Sequence, residues 1–276
     1  MSFINTNIAS IRARSNLERV ERAMDQSIER LSSGKRINAA RDDASGSAIA
    51  GRMESQIRGL ASSIRHAKDG QSFAHTAEGG LKEITSLLQR MRELAVQAAS
   101  GVASTTDKDY LNLEMKQLVA EIAHIDANTK FNDMTVFTST GRTFYTDIDV
   151  AGTAITTPGI EMSTAVTPGF TSTVVSIGGG VVAAKLSSVL SAIDVAVELV
   201  DSKRANLGAV SNRFDHIVDN LTNIIANTEA AKSRIEDADF SVETTELTRN
   251  QVLQQAATSM VAQANTSKNT ILALIQ

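Results

Sequence analysis

The sequence predicts a mainly α-helical chain, in which N- and C-terminal arms form an antiparallel long-helix bundle or coiled coil and a small β-hairpin element lies in the middle. Three observations lead there. The 276 residues contain only two prolines, Pro158 and Pro168, leaving proline-free runs of 157 and 108 residues on either side, where average composition would give roughly 14 prolines. Cys and Trp are absent and the aromatics are 8 Phe and 2 Tyr, so a core must be built from Leu, Ile, Val, Ala and Met. Apolar residues recur along both arms in alternating steps of four and three, the rhythm of packed helices.

Taken in order, residues 1–11 carry no charged side chain and place Ile4, Ile8 and Ile11 on one stripe. Arg12, Arg14, Arg19 and Arg22 follow, interleaved with Glu18, Glu21, Asp25 and Glu29; Glu18 to Arg22 is the favourable i,i+4 order, which reads as a solvated face. Leu31-Ser-Ser-Gly34 ends a helix with glycine at the C-terminal cap, and Asp42-Asp43 restarts one as an N-cap. A shorter helical segment then carries Ile49, Met53, Ile57, Leu60 and Ile64. A longer one carries Ala77, Leu81, Ile84, Leu88, Met91, Ala95 and Ala98, followed after a polar loop by Leu111, Met115, Leu118, Ile122 and Ile125.

Residues 131–184 differ in kind, with 12 Thr, both prolines, Gly178-Gly179-Gly180 and Arg142 as the one basic residue. Phe144, Thr146, Ile148 and Val150 alternate with Thr143, Tyr145, Asp147 and Asp149, and Val174 to Ile177 precede the glycines, so short strands and turns are expected. The last arm has a seam at Leu186, Leu190, Ile193, Val197, Val200, Arg204, Leu207, Ser211, Phe214, Val218, Leu221, Ile225 and Thr228. In residues 251–276 the rhythm continues through Leu253, Ala257, Met260, Ala264, Ser267, Ile271 and Leu274 with Lys268 as the single charge. An exposed helix normally flanks its apolar stripe with charge. The two charge-poor ends therefore read as segments destined for burial, either against other chains or against each other.

Little here points to catalysis. With 27 Lys+Arg against 31 Asp+Glu, nothing global draws the chain to nucleic acid or an anionic membrane. No run reaches a membrane span and the N-terminus lacks the pattern of a cleavable secretory signal. Absent cysteine removes disulfides, thiol catalysis and thiolate metal sites. Metalloprotease, Walker, nucleophile-elbow and dinucleotide motifs are missing. His66, His75, His124 and His216 read as solvated or interfacial; Asp147-Ile-Asp149 opens like a calcium loop but has Pro158 where the bidentate Glu belongs. Gly178 to Gly180 lack a following Lys-Ser/Thr and read as a turn, while Asn220 and Asn265 match a glycosylation acceptor only formally, inside predicted helices. No cofactor and no enzymatic activity are expected.

Several blocks resemble bacterial flagellin. They are Asn5-Thr6-Asn7, Glu29-Arg-Leu-Ser-Ser-Gly-Lys-Arg-Ile-Asn38, Ala40-Arg-Asp-Asp43, Ala48-Ile-Ala50, Leu88-Gln-Arg-Met-Arg-Glu-Leu-Ala-Val-Gln97, Leu207-Gly208 to Phe214, Ser233 to Phe240, and Gln254-Gln-Ala through Asn265. The resemblance covers roughly residues 1–137 and 186–276 and leaves the short middle unmatched. It implies a structural subunit that is secreted unfolded through the flagellar export apparatus with a secretion chaperone and polymerises beneath a filament cap, beyond the hook-junction proteins, into the extracellular filament used for swimming. It implies a terminal coiled coil from 1–43 with 236–276, ordered on assembly as the inner core, a helical rod from 44–130 with 185–235, and a small β-rich insert at 131–184. Ile4, Ile8, Ile11, Leu253, Met260, Ile271 and Leu274 are then the expected polymerisation residues. It also implies that the monomer is a ligand of host Toll-like receptor 5 through Gln89, Arg90, Leu94 and Glu114, on a mixed stripe with Glu83, Leu87 and Gln97. Alternatives are a hook–filament junction protein, which shares the terminal helices, and a cytoplasmic signalling coiled coil, which would have charged, ordered ends.

Overall fold

The computed structural model describes residues 6–100, 102–146, 154–160 and 183–273, with side chains in the last span from 187 to 266. Pro168, Val174 to Ile177, Gly178 to Gly180, Asp147, Ile148, Asp149 and Val150 lie outside the described residues. The expected class is found: helices α1 (Ile8–Ser33), α2 (Ala44–Ala98), α3 (Thr105–Asn128), α4 (Ala183–Glu236) and α5 (Phe240–Ala273), with short strands β1 (Lys130–Phe131), β2 (Met134–Thr135), β3 (Thr143–Tyr145) and β4 (Ala154–Thr156). The segments expected separately at Ile49–Ile64 and Ala77–Ala98 belong to one helix of 55 residues, α2, about 80 Å long at 1.5 Å per residue. The chain divides into two compact units, Met1–Ile57 with Ala226–Gln276 and Arg58–Ile225.

In the second unit the α2 seam is buried where the rhythm places it: Ala77, Leu81, Ile84, Leu88, Met91, Ala95 and Ala98 join Leu94, with Met115 and Ile122 from α3 and Val189, Ile193, Ala196, Val200 and Leu207 from α4. On α4 the expected seam is half right. Ile193, Val200, Leu207, Phe214 and Leu221 are buried, but their partners are Val189, Ala196 and Val210, while Leu190, Val197, Arg204, Ser211 and Val218 are only partly covered. A helix packed into a globular core buries a wider stripe than a two-position seam, and the wider stripe recruits the residue beside each expected one. Gly70 exists for the same packing: a Cβ there would lie 2.5 Å from Phe214 Cζ.

The β element is pinned to this core by aromatics. Asn132 and Asp133, at φ 50° and 60°, turn β1 into β2, pairing Lys130 with Thr135; two consecutive positive φ values are the mark of a two-residue hairpin turn that suits Asn and Asp. β3 and β4 pair antiparallel with Phe144 opposite Ile155, and Phe144 sits 5.7 Å from Phe73 and 5.9 Å from Phe214, with Phe131 6.0 Å from Phe73. Lys203 Nζ donates to the Gly159 carbonyl at 2.8 Å, tying the segment after β4 to α4. α3 starts with a capping box, in which Ser104 accepts from Asp107 N while Asp107 accepts from Ser104; that bond holds the Asp107 carboxyl below its ordinary pKa.

In the first unit α1 lies antiparallel to α5, as the bonds Asn7 Nδ2 to Ala264 O (2.9 Å) and Arg30 Nη1 to Glu243 Oε1 (2.9 Å) define. Asn7 caps α1 by accepting from Ser10 N, and Gly34 ends it at φ 71°. The short turns after α1 and after α4 are joined to each other. Lys35 bridges Asp237 antiparallel, Arg36 N donates to Glu236 O, and Ala238 N donates to Gly34 O.

Candidate functional site

The seam of the first unit is mixed: Ser27, Glu243 and Asn250 are its fully buried members, and its apolar members are only partly covered. Its covered positions run Ser10, Ala13, Leu17, Val20, Met24, Ser27 and Leu31 on α1, and Glu243, Leu247, Asn250, Gln254, Ala257, Val261 and Ala264 on α5. Both series step by three and four, so the pair is a short antiparallel coiled coil. A second set of large apolar side chains points away from it: Ile8, Ile11 (60% exposed), Ile28, Val242, Val252, Leu253 and Met260 (64% exposed). On α5 the expected rhythm is therefore also half right, since Ala257 and Ala264 lie in the seam but Gln254 and Val261 take the places expected of Leu253 and Met260. Of the expected polymerisation residues, Ile8, Ile11, Leu253 and Met260 are exposed. Ile271 lies on the α5 backbone with its side chain outside the description, and Ile4 and Leu274 lie outside the described residues.

Composition does not reveal the polar pairs that set the register here. Glu243, at 8% exposure, accepts from Arg30. Beside these joined turns, Lys35 pairs with Glu236, and Lys232 reaches both Glu54 and Glu236; the Glu54 bond raises the Lys232 pKa. Arg36 Nη2 donates to the Ile235 carbonyl at 2.6 Å. Asp42 accepts from Ala39 N and Asn38 N, and Asp43 accepts from Gly46 N and Ser45, as the expected N-cap of α2. These backbone and side-chain donors hold both carboxyls below the ordinary aspartate value.

A second surface lies on the second unit, where Arg90 on α2 meets Glu114 on α3 at 2.8 Å and Glu93 at 3.0 Å. Glu114 first, and then Glu93, raise the arginine pKa. Gln89 is exposed beside them. Leu94 corrects an expectation: it is 1% exposed and packs in the core beneath this surface rather than on it, because the wide buried stripe of α2 takes in the position next to Ala95. His75 and His124 stand 3.9 Å and 3.8 Å from Glu78 and Glu121 on exposed helix faces. Among the described residues no cluster of acidic and histidine side chains could hold a metal, and no helix is long and apolar enough to cross a membrane.

The comparisons agree with this architecture end to end. The family model for the bacterial flagellin N-terminal helical region matches residues 4–141, and that for the C-terminal helical region matches residues 190–275. The chain belongs to the bacterial flagellins. This flagellin is 38% identical over 275 residues to the flagellin of Halalkalibacterium halodurans, covering 99% of this chain and 100% of that one. It is 37% identical over 287 residues to flagellin FlaB1 of Treponema pallidum, again covering 99% and 100%. The crystal structure of Bacillus cereus flagellin superposes with a TM-score of 0.50 at 30% identity, covering 61% of this chain and 94% of that one. As a flagellin, the chain is a structural filament subunit of the bacterial flagellum, an extracellular assembly for motility.

Proposed function

We propose that this flagellin polymerises through the outward faces of α1 and α5, so that the terminal coiled coil of residues 1–43 with 236–276 becomes an inner layer of the filament, completed only by neighbouring subunits. In the same reading the helices of 44–130 with 185–235 form a helical rod, with the small β-rich element of 131–184 as its insert. The observation that carries this is the incomplete terminal coiled coil, whose fully buried seam residues are Ser27, Glu243 and Asn250, whose Leu17, Val20, Met24 and Leu31 are only partly covered, and whose Ile11, Leu253 and Met260 face outward. Apolar surface is worth about 25 cal/mol per Å² when removed from water, and neighbours on several sides multiply that gain. Delivery of the subunit by the export apparatus with a chaperone, and its addition beneath a cap beyond the hook junction, belong to the same reading. Purified protein seeded on filament fragments should grow helical filaments visible by electron microscopy; failure to grow contradicts it.

A second reading concerns host recognition of the monomer by Toll-like receptor 5. The Arg90–Glu114 pair supports it, because it joins α2 and α3 into one exposed polar surface with Gln89, while Leu94 would act from beneath by holding α2 in place. An Arg90→Ala, Glu114→Ala variant with unchanged helicity should lose most receptor activation in a reporter cell assay. Activation equal to the parent's contradicts the reading.

A further inference from the structure

We infer that α1 carries a self-complementary charge pattern that docks its first half against the second half of α1 in a neighbouring copy, offset along the helix axis. This rests on the polymerisation reading above. Arg12, Arg14, Arg19 and Arg22 are all exposed, and none has an ion pair or hydrogen bond among the described residues. The expected Glu18–Arg22 pair is not formed either, and Glu21 and Asp25 are similarly unpaired. The antiparallel partner offers no remedy. The α1–α5 bonds from Asn7 to Ala264 and from Arg30 to Glu243 set Arg12 to Arg22 alongside about residues 250–260 of α5, a stretch with no charged side chain.

Position makes these arginines more than a solvated face. Arg12 lies four residues after Ile8, and Arg14 lies three after Ile11, so each shares a helix face with an exposed isoleucine. Burying Ile8 and Ile11 against a second copy draws the guanidinium groups into the same contact, where a charge without a partner is costly. The carboxylates available are on the same helix. Asp25 and Glu29, with Asp42 behind them, line a polar groove together with Arg22, Gln26 and Arg41, and the nearest cation to Glu29 is Arg41 at a loose 3.8 Å. Two parallel copies of α1 offset by about 10–13 residues, roughly 15–20 Å, bring Arg12 or Arg14 level with Asp25 and Arg19 level with Glu29. Because two different patches meet, the contact is heterologous and propagates into a filament, whereas antiparallel pairing of the same patches would close into a dimer.

The test is seeded elongation, read by light scattering and electron microscopy, of four full-length proteins: the parent, Arg12→Glu/Arg14→Glu/Arg19→Glu, Asp25→Arg/Glu29→Arg, and the swap carrying all five changes. The two reversed variants should elongate at least about tenfold more slowly than the parent and the swap should recover most of the rate, with circular dichroism the same in all four. Parent growth should also slow between about 50 mM and about 500 mM NaCl. A parent that elongates while the arginine-reversed variant matches it overturns the charge pairing and leaves polymerisation standing. Failure of the swap to recover growth overturns Asp25 and Glu29 as the partners. A parent that stops at a discrete dimer overturns the offset arrangement, and a parent that does not assemble at all overturns the polymerisation reading with it.

Discussion

The two units use one rhythm for opposite ends. In Arg58–Ile225 the four-three spacing of α2 is filled by Leu81, Ile84, Leu88 and Met91, all fully buried by α3 and α4 of the same chain. In the unit built from α1 and α5 the fully buried positions of the same spacing are Ser27, Glu243 and Asn250, its apolar members Leu17, Val20, Met24, Leu31 and Leu247 are only partly covered, and Ile11, Val252, Leu253 and Met260 are left outside. Heptad spacing therefore shows that helices pack, but the size and polarity of the residues at the covered positions show whether packing within one chain is complete. By that measure the Arg58–Ile225 unit is finished in the monomer and the unit built from α1 and α5 is not.

The sharpest way to break this contrast is to remove one half of the unfinished unit. Deleting residues 251–276 should abolish filament growth on seeds while circular dichroism still reports a folded, cooperatively melting rod; filaments from the truncated chain would end the account. Next in size, Leu88→Ala should cost about 2–5 kcal/mol in denaturant unfolding of the monomer. Leu253→Ala and Met260→Ala should change that unfolding by less than about 0.5 kcal/mol yet slow elongation, so a large monomer effect at Met260 would show that its face is covered within one chain. Gly70→Ala should cost about 1–3 kcal/mol by forcing Phe214 aside, measurable as a lowered Tm of the rod.

The smallest expected effect is on pH. Asp42 and Asp43 have folded-state pKa values lowered by their backbone donors. Their contribution is thus present above the unfolded aspartate value near 3.8 and is lost as pH falls through the lower folded values. Below about pH 4 amide exchange should therefore speed up first around residues 38–46, and Asp43→Ala should reproduce that change at neutral pH; protection that is indifferent to both would deny the cap its role.

Much of this was legible in the residues. Proline confined to the middle gave the helical arms, and Ala77 to Ala98 marked the α2 seam residue by residue because that helix is covered from two sides by its own chain. The seams of α4 and α5 were legible only in alternate positions. Val189 and Ala196, or Gln254 and Val261, differ from the expected residues by one step along the helix, and which neighbour is covered depends on where the packing helices lie, a fact held by the fold rather than by local spacing. The same holds for Leu94, whose charged neighbours suggested a surface, and for the Arg30–Glu243 pair, whose members are 213 residues apart. The Asn132-Asp133 turn and the Ser104–Asp107 box carry local signals in the sequence, a two-residue turn pair between Phe131 and Met134 and a hydroxyl three residues before a carboxylate.

The central claim, that the terminal coiled coil is completed only by other copies, is tested most directly by amide hydrogen exchange on monomer and filament side by side. The account predicts fast exchange in α1 and α5 of the monomer that slows by orders of magnitude on assembly, against little change in the α2, α3 and α4 segments of the rod. Equal protection of α1 and α5 in both states would contradict it.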